Sequence, residues 1–379
     1  MEDIMRKFEN VSTDPYKSVA EAKERLRKKV IGCFPMHIPE EIIHAAGLLP
    51  VVMWESNEVI TEGLSHILPF NCAIVRSVVD DAVKRKLAFL DGLIFYDTCM
   101  QVRGLPYTFE RNMNLPYLEV IHLPPMLTNP VSKDFLVENL MVLKTSLEKL
   151  IGQEIKPEAL KQSITTYNKN RKLLRRLYDL RRKKPGILRA SEIASIVSSS
   201  MKMLKEEHNR LLEELLPLLE QKQVAKDSMT KIVLSGSNCM APRKDVLDMV
   251  EDQRMVVVDD DFFVGPRYFA NDAPEDLPPL EALAERYLKR TPPCPTKTDW
   301  ETDWTDYIID MVRRNKAQGV LTFRVKYCPP HAVYYPHIKR KLNEARVPEL
   351  MFELEHEVYS FEPMKTRLQA FAETIGGKN

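Results

Sequence analysis

The sequence predicts an α/β protein made of two parallel-sheet domains bridged by a helical segment, and three observations carry that prediction. Strand-like apolar runs alternate with helical stretches in the first and last thirds of the chain, the pattern of βαβ units. The middle is helical and highly charged, with Pro185, Gly186 and Pro217 as its main punctuation. Two cysteines, Cys99 and Cys328, end the apolar runs LIFYDTC and GVLTFRVKYC, where open α/β sheets give up the carboxyl ends of their strands and place their chemistry.

Taken in order, residues 1–131 form the first α/β domain. VIGCFP, LPVVMW, DGLIFYDTC and PYLEVIHLP are its strands, and IPEEIIHAAG and NCAIVRSVVDDAV its intervening helices. In the second helix Ala73, Val75 or Ile74, Val78, Val79 and Ala82 line one face, as a 3.6-residue period requires. Residues 132–226 form the bridge, with DFLVENLMVLKTSLEKLIGQ, TYNKNRKLLRRLYDLRRKK and KEEHNRLLEELLPLLEQK as helices. Residues 227–379 form the second α/β domain. Its strands are TKIVLSGSNC, MVVVDDD, GVLTFRVKYC and VPELMFELEHE, with helices in VLDMVED, YIIDMVRRNKA and YPHIKRKLNEA. Two sheets of this Rossmann/flavodoxin-like kind, joined by helices, enclose a cleft.

A chain of 379 residues exceeds what one hydrophobic core serves. With 55 Lys plus Arg against 54 Asp plus Glu, the formal charge is +1, which argues against a general nucleic-acid or membrane-surface role. No apolar run approaches a membrane span and MEDIMRKFENVS carries no signal-peptide core, so a cytoplasmic protein is expected. Six cysteines in that setting read as reduced thiols or metal ligands. GxxxxGK[ST] and GxGxxG are absent and there are only 12 glycines. The chain is therefore not expected to hydrolyse ATP or bind a dinucleotide.

Cys72 opens an amphipathic helix, and a helix start favours anions. Placement leaves two readings of Cys72, Cys99 and Cys328 open. They are buried small hydrophobes, or they converge to hold an iron–sulfur cluster by three thiolates with one iron left open. The spacing contains no CxxC to decide between them. Asp259, Asp260 and Asp261 read as strand-end acids capping the next helix, or alternatively as a cation site. RKLLRRLYDLRRKK reads as a solvated helical face, or alternatively as a surface for coenzyme A phosphates or a partner.

The flanks of these cysteines resemble the 2-hydroxyacyl-CoA dehydratase and benzoyl-CoA reductase family. IGCFPMHIPEEIIHAAGLLPVVM at residues 31–53 is similar to its opening signature. FNCAIVRSVVD, DGLIFYDTCMQVRGL, YCPPHAVYYPHIKRKLNEARVPELMFELEHE and TRLQAFAE follow in the family's order. The resemblance implies a [4Fe-4S] cluster on Cys72, Cys99 and Cys328, with Cys239 of IVLSGSNC as a rival ligand; Cys33, inside or just after a strand, and Cys294, in the proline-rich TPPCPTKTDW, read from their placement as structural or incidental. Met100 and Pro329 stand where the family often has an acid after the second and third ligands. His331 and Tyr334, with Tyr335, would then lie near the cluster as weak proton-donor candidates, and His44 of the signature is another.

The implied partners are a larger homologous cluster-bearing subunit, ATP-hydrolysing activator subunits fed by reduced ferredoxin, and an acyl-CoA substrate. Nucleic acid and membrane are not expected. SGSNC, VVVDDDFFVGPRYF and the compact length look closer to the smaller (gamma/C-type) subunit of benzoyl-CoA reductase. That points to an iron–sulfur subunit delivering low-potential single electrons to dearomatise the ring. The alternatives are a subunit of a 2-hydroxyacyl-CoA dehydratase, a lyase, and a homodimeric electron-transfer relative with a double cluster.

Overall fold

Val30–Phe34 (β1) and Gly92–Tyr96 (β3) are buried along their whole length, as strands covered on both faces must be. The computed structural model describes residues 1–224, 229–236, 240–289, 292–297, 302–357 and 360–377. Cys239 and the expected boundary at Lys226 lie outside the described residues. With β2 (Leu49–Val52) and β4 (Leu118–Ile121), the first sheet runs β2-β1-β3-β4, all parallel. The second contains β5 (Thr230–Gly236), β6 (Met255–Asp260), β7 (Gly319–Val325) and β8 (Glu349–Leu354). Its order, β6-β5-β7-β8, repeats that of the first, again all parallel. The protein is thus an α/β fold of two parallel-sheet units. Each sheet reverses its winding beside its first strand, and the crevice beyond that point is where such sheets bind ligands.

The helices Ser132–Ile151, Pro157–Lys183, Ala190–Ser200 and Lys205–Gln221 bridge the sheets. Their leucines, among them Leu140, Leu143, Leu174, Leu177, Leu212 and Leu215, share one core with Ile31 and Ile94 of the first sheet and with Phe263, Phe269 and Tyr287. The sheet's other face packs on Val75, Val78 and Val79 of the helix Ala73–Val83. The second sheet has its own cores, one on each face.

The basic run of the long bridge helix is solvated only in part: Lys172, Arg176 and Lys183 are exposed, while its other arginines turn toward packed neighbours. Arg171 pairs with Glu41, Arg175 with Asp272, Arg176 with Glu220, Arg181 with Asp260 and Arg182 with Asp259. Arg171 and Arg181 are fully enclosed. These guanidinium groups are committed to carboxylates of packed neighbours, which displaces the phosphate-surface reading for them. The aspartates after MVVV are the other half of the same arrangement. Asp259 also meets Arg314 and Asn315, Asp260 accepts from the Tyr178 hydroxyl at 2.8 Å, and Asp261 accepts from Ser235 and the Gly236 N–H. They act as anchors between elements because the strand ends buried against cationic helices, where an unpaired carboxylate is costly. Among the described residues no helix is long and apolar enough to cross a membrane.

Candidate functional site

Three chain segments bring a cysteine to one cavity. Asn71 N–H closes a turn on Leu68 O, leaving Cys72 extended (φ −66°, ψ 158°) as the N-cap of Ala73–Val83. The preceding loop is pinned to that helix by Asp80, whose carboxylate accepts from the N–H groups of Thr61 (3.0 Å) and Gly63 (2.8 Å). Gly63 lies so close that a Cβ there would sit 2.7 Å from the Asp80 nitrogen, so only glycine fits. Cys99 follows β3 by three residues and caps the short helix Met100–Arg103. Cys328 follows β7 through a turn with Tyr327 at φ 62° and caps Pro329–Glu344, whose first two positions are prolines. Both thiols leave the carboxyl end of the third strand of their sheet, as the sequence predicts.

Cys72, Cys99 and Cys328 line a cavity of about 540 Å³ between the two sheets, together with Met36, Ser198, Met240, Arg267 and His331. Burial pushes the Cys72 thiol well above its ordinary value, and the neighbouring Cys328 and Cys99 thiols push it further; the Val75 N–H opposes them. Burial likewise raises Cys99, against the N–H groups of Gln101 and Val102 that favour its thiolate. Buried thiols such as Cys72 and Cys99 resist ionisation unless a positive centre joins them. Helix starts and backbone N–H groups favour the thiolates once one does. The donor set therefore fits the iron–sulfur cluster implied by the resemblance, since soft thiolates are its ligands. Among the described residues no His, Cys, Asp and Glu group is compact enough for a single metal ion, and a cluster draws its ligands to separate irons.

His331 Nδ1 lies 3.2 Å from Cys328 Sγ, and the ring meets Trp304 edge-on at 5.0 Å. Burial and the nearby Arg267 push His331 well below the usual imidazole range, so it is neutral. A ring protonated on Nδ1 donates to the sulfur. Its Nε2 is buried without a hydrogen-bond partner. Tyr334 and His44 are not brought to this cavity. The Tyr334 hydroxyl donates to Asp303 (2.9 Å), the Tyr335 hydroxyl donates to Glu349, and His44 sits between Ser163 (2.9 Å) and Glu206 (3.2 Å). Cys33 is enclosed within β1. Cys294, expected to be structural or incidental, lines the cavity with the other thiols.

Several wall residues went unremarked in the sequence. Arg267 is buried, donates to Gly236 O, pairs with Asp261 at 3.4 Å and lies over the Trp304 ring. Ser191, Ser195 and Ser198 present one face of Ala190–Ser200 to the cavity, and only their i, i+4 and i+7 spacing foreshadowed it. Behind Ser198 stands Lys202, enclosed and donating to the Ser198 carbonyl and hydroxyl; burial lowers it to about 7. At the rim, His356 bonds Glu55 (2.7 Å) and Glu58 O (2.6 Å), tying the end of the second sheet to the first. The signature's own acids are structural: Glu41 meets Arg171, and Glu40 accepts from Tyr268 (3.0 Å) near Lys205.

A family model described as HGD-D, the 2-hydroxyglutaryl-CoA dehydratase D-component, matches residues 35–375. The (R)-phenyllactyl-CoA dehydratase beta subunit of Clostridium sporogenes is 27% identical over 97% of each chain. The (R)-2-hydroxyglutaryl-CoA dehydratase subunit beta of Acidaminococcus fermentans is 29% identical, covering 98% of this chain and 99% of the relative. A benzoyl-CoA reductase subunit of Thauera aromatica is 26% identical over 92% of this chain and 91% of its own length.

Proposed function

The chain belongs to the 2-hydroxyglutaryl-CoA dehydratase D-component family, and on that premise we propose that it is the iron–sulfur subunit of a heteromeric enzyme acting on acyl-CoA thioesters. The observation that carries the proposal is the convergence of Cys72, Cys99 and Cys328, each at a helix start, on one cavity. These three would hold a [4Fe-4S] cluster. When bound, it supplies low-potential single electrons for forming a radical anion on the thioester-bearing substrate. The chain's own residues set its surroundings. The Val75, Gln101 and Val102 N–H groups and His331 Nδ1 donate toward the sulfurs, and Arg267 places a buried cation nearby. Such hydrogen bonds and charges tune a redox site. The chain carries no phosphate-binding loop, so ATP-derived energy enters through activator subunits fed by reduced ferredoxin, and a larger homologous subunit shares the substrate.

Dehydration of a 2-hydroxyacyl-CoA is the preferred reaction, supported by the family match and by the activities of the two dehydratase relatives above. Benzoyl-CoA reduction by a gamma/C-type subunit is the second reading, supported by the Thauera aromatica relative and the VVVDDDFFVGPRYF block. The test is an anaerobic assay of the purified complex with activator, ATP and reduced ferredoxin, against both a 2-hydroxyacyl-CoA and benzoyl-CoA, with product identification. An enoyl-CoA product supports the first reading and a cyclic diene thioester the second. Turnover of neither by an iron-loaded, reducible complex refutes both and favours an electron-transfer relative.

A further inference from the structure

Lys202 carries its amine into the core without a counter-ion among the described residues. It is 3% exposed, and its described partners are neutral: the Ser198 carbonyl at 3.4 Å, the Ser198 hydroxyl, and the Trp54 ring with its centroid 5.8 Å away. Ser198 in turn lines the cavity that Cys72, Cys99 and Cys328 share. Resting on the cluster reading above, we infer that Lys202 takes up a proton when the cluster takes up an electron, with the Ser198 hydroxyl as its link to the cavity. The electron comes from the activator and the proton from solvent. The Lys202 amine becomes an ammonium, and no other bond changes.

The charged and titratable groups of the surrounding elements are committed elsewhere. On the segment that follows, Lys205 is held by Glu40 at 3.6 Å and Tyr268 at 2.7 Å, and His208 by Asn170 and the Ile196 carbonyl. Beyond Trp54, Tyr16 meets that ring edge-on at 5.0 Å and donates to Asp81, while Glu55 is held by His356. The helix Glu2–Thr13, packed on Ala190–Ser200, buries only Phe8. On the cavity wall Arg267 pairs with Asp261 and Asp248 with Lys244. Burial alone lowers Lys202, to about 7, so the amine is poised between its two forms near neutrality. Negative charge arriving in the neighbouring cavity favours the ammonium. At an effective dielectric of about 20, a unit charge roughly 10 Å away changes a proton affinity by about tenfold. The single hydroxyl hydrogen of Ser198 transmits the change. It donates to a neutral amine, whereas an ammonium donates to the Ser198 oxygen and leaves that hydrogen free for the cavity.

The full-length chain, loaded anaerobically with iron and sulfide, tests this by redox titration of the cluster from pH 6 to pH 9, read by electron paramagnetic resonance. In wild type, reduction should become about tenfold less favourable across that range, equivalent to about 59 mV for a one-electron couple. Lys202→Met and Lys202→Gln should give a potential independent of pH, at the wild-type value for pH 9. Lys202→Arg should be equally flat but at the wild-type value for pH 6, since a guanidinium keeps its charge throughout. A purely structural lysine predicts no such split between charged and neutral replacements. Ser198→Ala should shrink the pH-dependent change, and an undiminished change removes Ser198 as the link. A slope that survives in both Lys202→Met and Lys202→Gln overturns the inference. So does a wild-type potential that does not move with pH, or a Lys202→Arg potential equal to that of Lys202→Met. Wild type that takes up no iron defeats the cluster reading itself, a different result from any of these.

Discussion

In the first sheet the second strand runs out through Val52, Met53 and Trp54, all buried and apolar, and Val52 N–H donates to Met201 O of the bridge. The corresponding strand of the second sheet runs out through Asp259, Asp260 and Asp261, equally buried, and meets the bridge through Arg181 and Arg182. Strand order and burial are the same; the adhesive is different. Apolar contact stabilises wherever area is removed from water, whereas a buried ion pair is nearly neutral overall and severe only when one partner is missing. The first sheet's dock therefore tolerates adjustment, and the second sheet's dock specifies one arrangement. Both sheets nevertheless deliver thiols to the same cavity, Cys72 and Cys99 from the first and Cys328 from the second.

The largest expected effect treats the sheets as equals. Single replacement of Cys72, Cys99 or Cys328 by Ala should abolish the cluster whichever sheet the thiol comes from, while Cys33→Ala retains it. Anaerobic iron and sulfide analysis reads this, and retention by any of the three variants removes that residue from the ligand set.

Next comes the contrast between the docks. Arg181→Ala should cost about 3–5 kcal/mol by leaving Asp260 buried without its cation. Combining Arg181→Met with Asp260→Leu should recover most of that loss, because no charge is then stranded. Denaturant midpoints measure both, and a cost for Arg181→Ala under about 1 kcal/mol would dissolve the contrast.

Lys202 is a charged exception in the apolar dock, enclosed over the Trp54 ring and without a carboxylate in its hydrogen bonds. Burial holds it at about 7, below its ordinary value of 10.5. Between these pH values the unfolded chain holds a proton that the folded chain has lost, so stability rises with pH by up to roughly 1.4 kcal/mol per unit. Lys202→Met should remove that slope and stabilise most near and below pH 7, with the two proteins converging as pH approaches 10. Parallel pH profiles would return Lys202 to an ordinary ammonium.

The smallest effect concerns the link between the sheets. Burial opposes protonation of His356, but its bonds to Glu55 and Glu58 O prevail and raise it. Its contribution is therefore full below the unfolded value near 6.5 and lost as pH rises through the raised folded value. His356→Gln should cost about 1 kcal/mol at pH 6 and less at pH 9; a larger cost at pH 9 would contradict the assignment.

The sequence by itself determined the eight strands, their parallel α/β class and the positions of Cys99 and Cys328, because these depend on local periodicity and on where an apolar run stops. It also determined the start of the Cys72 helix. It misjudged the arginines of the bridge helix and the three aspartates, since charge at helical spacing looks the same on a solvated face and in a buried pair; only the partner brought in by folding tells them apart. Cys294 sits in a proline-rich stretch with no periodicity, Lys202 and Arg267 carry no spacing that points to a cavity, and the helical spacing of Ser191, Ser195 and Ser198 marks a shared face without saying what that face meets. Their placement depended on how two sheets and a bridge close around a common space. That closure is set by contacts between residues far apart in sequence, as between Arg181 and Asp260 or Glu55 and His356, and the tertiary structure alone decided it.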